Sequence, residues 1–169
     1  MTPTLRACCA LLVAERSLGR ATPEALRAAV DAALDEGFMS MHALQAISSR
    51  PAQMEAVEPA FEDLLVALEL APAMPLFEAV SSLVRDRLQA LVQGEAELFE
   101  ALSEAIDIYR ELDWEHPDGP DCGRRMDLYP LYCLLDRMEE VSNLQYVSDE
   151  LQEELRDSIR REATAWLAR

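Results

Sequence analysis

Apolar residues recur along this chain every three or four positions and almost never alternate, so the pattern predicts helix throughout. The first helix is expected over 4–18, with Gly19 at its end. Thr22, Pro23 and Glu24 then supply a side-chain cap, a proline suited to a first turn and an acid facing the helix dipole. Behind them Leu26, Ala29, Val30, Ala33 and Leu34 make one apolar face, and Gly37 stops the helix. A short helix is expected over 40–48. Pro51 and Pro59 suit first turns better than interiors, which predicts a short helix near 51–57 and a longer one over 60–71. The longer one carries Phe61, Leu64, Leu65 and Leu68 inward.

Pro72 and Pro75 bracket the next break. Leu76, Phe77, Val80, Leu83, Val84, Leu88 and Leu91 follow as one stripe, ending at Gly94. A helix over 95–113 has Leu98, Leu102, Ile106, Tyr109 and Leu112 as its buried face. A long loop is expected over 114–125, rich in proline and glycine. Helix 127–141 has Pro130 in its first turn. The last helix starts near Ser148 and turns Leu151, Leu155, Ile159, Ala163 and Trp166 inward. The expected fold is all-α, an irregular bundle of roughly seven to eight helices, most simply stacked as antiparallel pairs. Residues 1–169 are read as a single helical domain; a boundary at 72–75 is conceivable, but halves of that size are marginal alone.

Composition agrees with this pattern. Half the residues are apolar and five are glycine, too few for the tight turns of an all-β fold. No uncharged apolar stretch approaches the ~20 residues that span a bilayer. The apolar run 8–14 meets Glu15 and Arg16 with no cleavage site, so it reads as a first helix, not a signal peptide. The expected address is the cytoplasm. Cys8, Cys9, Cys122 and Cys133 lack a C-x-x-C spacing and are expected as reduced, buried or half-buried thiols. All 15 basic residues are Arg. That excludes a Walker-type lysine, a Schiff base and a lysine-dependent nuclease site. The Arg-only, Leu- and Ala-rich usage resembles proteins of GC-rich bacteria.

Charge changes the picture further. Of the net −17, residues 1–50 contribute nothing, 51–123 contribute −14 and 124–169 contribute −3. Such a field repels nucleic acid and anionic membranes and attracts basic partners. Its centre is the helix over 95–113, where Glu97, Glu100, Glu104, Asp107 and Glu111 recur at spacings of three and four. They fall within about an 80° arc opposite the apolar face. Like charges so spaced repel by a few tenths of a kcal/mol per pair, and Arg110 alone on that helix offsets them. The ridge continues into Asp113, Glu115, Asp118 and Asp121, beside Trp114, an aromatic suited to anchoring an interface. The competing reading is a solvated face, or one met by Arg from a neighbouring helix.

No catalytic centre assembles from these residues. Carboxylate-bridged di-metal bundles need Glu-x-x-His pairs facing inward, and neither His42 nor His116 follows a Glu by three. The loop acids miss the calcium-loop register. Cys133 lies between Tyr132 and Leu134 and is expected to be packed and inert, although Cys133 with His116 would make a nucleophile–base pair if they met. No metal or cofactor is expected, and no enzymatic activity. Arg110 and His116, with five residues between them, match the loose R-x(4–6)-H pattern. In that they resemble the HEPN ribonucleases, all-helical enzymes in which the pair acts on RNA; the likeness covers seven residues.

The function expected first is an acidic helical module that binds a basic protein. In charge and size it is similar to bacterial immunity proteins, which cover the positively charged active site of a nuclease toxin. The expected partner-binding residues are Glu97, Glu100, Glu104, Asp107, Glu111, Trp114, Glu115, Asp118 and Asp121. The alternative is a small helical chaperone or adaptor that binds through an apolar groove, with Phe38, Met39 and Met41 as its surface.

Overall fold

The computed structural model describes residues 1–48, 52–115, 125–142 and 148–169, of which 111–115 and 142 by backbone alone. The described residues form eight α-helices and no strand. They are α1 (Pro3–Ser17), α2 (Pro23–Asp35), α3 (Met41–Ser48), α4 (Met54–Ala67), α5 (Leu76–Gln93), α6 (Leu98–Glu115), α7 (Tyr129–Ser142) and α8 (Asp149–Leu167). The fold is the irregular all-α bundle expected from the pattern. Its contacts gather into two compact units, Met1–Ala79 and Val80–Arg169.

In the first unit α2 touches α1, α3 and α4, and α3 lies along α4. The caps are the local chemistry that starts these helices. Thr2 Oγ1 accepts from Leu5 N, Thr22 Oγ1 from Ala25 N and Ser40 Oγ from Ala43 N. Gly19 and Gly37 take left-handed backbone after α1 and α2. The core joins Leu12, Val13, Leu26, Val30, Phe61, Leu64 and Leu65. Cys9 is fully buried among them, and burial, followed by the neighbouring Cys8, pushes its thiol up to about 11. Arg16 closes the end of α1 onto α4, with its Nη2 2.7 Å from Glu58 and 2.8 Å from Glu62.

One helix, α4, replaces the two predicted over 51–57 and 60–71. Pro59 stands inside it. It withholds one backbone hydrogen bond from the ladder, but Val57 on one side and Ala60, Phe61 and Leu64 on the other are all buried. Tertiary packing therefore carries the helix across its proline. The same helix ends at Ala67, earlier than expected and without glycine: Glu69 takes the left-handed conformation and Leu70 N returns to Leu65 O at 2.9 Å.

In the second unit α7 packs on α6 and α8. Val80, Leu83, Val84 and Leu88 are buried on α5, as are Leu102 and Ile106 on α6, Leu131 and Leu135 on α7, and Leu155 and Ile159 on α8. Ser148 caps α8 by accepting from Leu151 N. Near the other end, Trp166 is buried and donates its indole N–H to Met126 O at 2.6 Å. The Arg85 guanidinium lies over that indole at 5.3 Å and donates to Leu167 O, fastening α5 to α8. Five inward assignments are corrected: Leu34, Leu76, Phe77, Tyr109 and Leu151 are only half-buried. Among the described residues, no helix is long and apolar enough to cross a membrane.

Candidate functional site

The exposed face of α6 is built from its first turn onward. Glu97 precedes the helix and caps it, accepting from Glu100 N on Oε2 and from Ala101 N on its carbonyl, both at 2.9 Å. A carboxylate there also suits the positive end of the helix dipole. Leu98, Ala101, Leu102, Ala105, Ile106 and Ile108 face the core, which leaves Glu100, Glu104 and Asp107 in solvent on the opposite side. Glu100 keeps a carboxylate with no partner among the described residues.

Two ridge acids are met by arginine. Arg87, reaching from α5, places Nε 2.7 Å from Glu104 Oε2 while also pairing with Asp86. Arg110 Nη1 lies 3.3 Å from Asp107, and its guanidinium stacks 5.2 Å over the Tyr132 ring of α7. The Tyr132 hydroxyl, and after it Asp107, raise the Arg110 pKa further. The carboxylates of Glu104 and Asp107 remain about half exposed, so water screens both pairs and each is worth under about 1 kcal/mol. The face thus keeps an excess of negative charge but is not bare.

Glu111, Trp114 and Glu115 lie on the last turns of α6, by backbone. The helix extends to Glu115 and so takes in the first two residues of the expected loop. Asp118, Asp121, Cys122 and His116 lie outside the described residues. Of the nine residues predicted to bind a partner, the structure brings Glu97, Glu100, Glu104 and Asp107 onto one face by side chain and three more onto the same helix by backbone.

A second surface lies on α3. Its inner positions are the alanines Ala43 and Ala46, 0% and 1% exposed. The larger side chains face water instead: Met41 is 71% exposed, Leu44 46% and Ile47 42%, with Met39 just before the helix at 67%. Phe38 is half-buried against the core, so its expected place on this surface is reduced. Leu44 and Ile47 were not among the predicted surface residues, yet the spacing 41, 44, 47 beside alanines at 43 and 46 carries the signal. Ser40 and His42 hold α3 to α4. His42 Nδ1 sits 3.0 Å from Asp63, and hydrogen bonds from the Ser40 hydroxyl first and His42 second keep the Asp63 carboxyl below its usual range.

Cys133 is exposed, contrary to expectation, because α7 turns Leu131 and Leu135 inward and Cys133 away from them. The Tyr129 hydroxyl donates to its sulfur, and that hydrogen bond raises the Tyr129 pKa. Among the described residues, no group of three or more His, Cys, Asp or Glu is arranged to hold a metal ion. No protein family, curated protein or solved structure matches the chain. Among the described residues, fold and surface define an all-α protein with an acidic face on α6 and an apolar face on α3.

Proposed function

We propose that this protein binds a basic protein partner through the acidic face of α6, in the manner of an inhibitor that covers a positively charged surface. The observation that carries the reading is the single arc of Glu100, Glu104 and Asp107 in solvent, on the segment where −14 of the net −17 resides. Charges so placed raise the encounter rate with a cationic partner and fix its orientation. Arg87 and Arg110 hold two of the carboxylates in place, so a partner's Arg or Lys meets acids already oriented. The reading is non-catalytic, and uses neither metal nor cofactor. The HEPN-like alternative gains little, because Arg110 is engaged by Asp107 and Tyr132 and sits among acids that repel a phosphate backbone.

The test is capture of partners from a native lysate by the protein and by its Glu100→Arg, Glu104→Arg, Asp107→Arg variant. The wild type retains a basic protein at low salt and releases it at high salt, and the folded variant retains none. Equal capture by both removes the ridge from the binding surface. A second reading has its own observation, the outward Met41, Leu44 and Ile47 of α3. It makes the protein an adaptor for apolar segments, in which the charge serves solubility. Binding of that kind survives high salt and is lost in Met41→Asp or Leu44→Asp.

A further inference from the structure

The second unit contains a cavity of about 320 Å³ lined by Phe99 of α6, Met138 and Val141 of α7, and Gln152, Leu155 and Arg156 of α8. That volume is at the lower end for small-molecule sites, which are mainly apolar with a few polar groups that orient the ligand. Leu155 and Val141 are buried. Gln152 and Arg156, four residues apart on α8, share one face of that helix and are exposed, so they stand at the cavity's rim.

Arg156 is the arginine at this cavity's rim. It has no ion pair or hydrogen bond among the described residues, although acids outnumber arginines 32 to 15. On the same helix Arg160 pairs with Asp157 and Arg161 bonds to Ser158. We propose that the cavity binds an aliphatic carboxylate of medium chain length, its chain against Phe99, Met138, Val141 and Leu155 and its head on Arg156 with Gln152 beside it. The apolar lining selects the chain, and the unpaired guanidinium selects an anionic head. Glu153 and Asp157, exposed on either side of Arg156 along α8, limit that head to one negative charge and disfavour phosphates. This site is independent of the α6 ridge reading.

Titration calorimetry of the full chain with octanoate, kept below its micelle concentration, tests the assignment, with octanol as the neutral control. The expected result is saturable one-to-one binding of octanoate, tighter than octanol. Arg156→Gln, at an exposed position that leaves the core intact, weakens octanoate by about threefold or more and leaves octanol unchanged. Met138→Trp, with its fold checked by circular dichroism, fills the cavity and abolishes both. No saturable octanoate binding at millimolar concentration overturns the proposal. So does octanol binding as tightly as octanoate, an Arg156→Gln variant indistinguishable from wild type, or binding that survives in folded Met138→Trp.

Discussion

In α3 the two alanines are buried while Met41, Leu44 and Ile47 stand in water; in α6 Leu102, Ile106 and Ile108 are buried while Glu100, Glu104 and Asp107 stand in water. Both helices are amphipathic by period, yet they use their apolar residues in opposite ways. Small inner side chains let a helix lie close to its neighbour, since interaxial distance follows the side chains at the contact. That leaves α3's bulk on the outside. A helix whose large residues already fill a core, as in α6, has only its polar side to offer. The two faces therefore differ in the partners they suit: one apolar and insensitive to salt, the other charged and sensitive to it.

The largest expected effect that tests this contrast comes from truncation. Leu102→Ala in α6 should destabilise the protein by about 2–5 kcal/mol, whereas Leu44→Ala in α3 should change stability by no more than about 0.5 kcal/mol. Urea unfolding measures both, and similar losses would show that α3's outer face is packed after all. Next in size, Ala46→Leu should cost about 1–3 kcal/mol by overpacking the α3–α4 contact, although leucine is the better core residue elsewhere. Tolerance of it would mean that α3 does not lie close.

The cap of α3 ranks third. Ser40→Ala leaves Ala43 N without its acceptor and should cost about 1 kcal/mol. It also removes the hydroxyl that contributes most to lowering the Asp63 pKa. A carboxyl whose folded pKa lies below its unfolded value stabilises above the unfolded value and loses that contribution as pH falls through the folded one. The wild type should thus lose stability on acidification below the usual carboxylate range. In Ser40→Ala, and more fully in Asp63→Asn, that part of the acid slope should flatten.

Reversal of Glu100, Glu104 and Asp107 to Arg should move stability least. Breaking the exposed Arg87 and Arg110 pairs costs under about 1 kcal/mol each, and the replaced acids no longer repel one another. A thiol assay in a Cys122→Ser background adds a check on both units. Exposed Cys8 and Cys133 should react quickly at neutral pH, and buried Cys9, with its thiol near 11, only on unfolding.

The sequence made the helix starts at Thr22 and Ser148 legible because caps are decided within four residues. It misplaced the break at Pro59 because a proline's cost is local while the packing of Val57 and Phe61 that offsets it is not. The acid spacing on α6 was readable from period alone. Its meeting with Arg87, on another helix, was not, since one sequence does not say which helices lie side by side. Cys133 was misjudged for a related reason: its apolar neighbours Tyr132 and Leu134 are themselves only half-buried.

The central claim, that the α6 face binds a basic partner by charge, is tested most directly by measuring one captured partner's affinity across ionic strength, for wild type and the triple Arg variant. Raising salt from about 0.15 M to about 1 M shortens the screening length from about 8 Å to about 3 Å. The account predicts that wild-type affinity falls steeply over that range and that the variant, still folded, fails to bind even at the low end. A partner held equally well at both salt concentrations, and equally by both proteins, would contradict it.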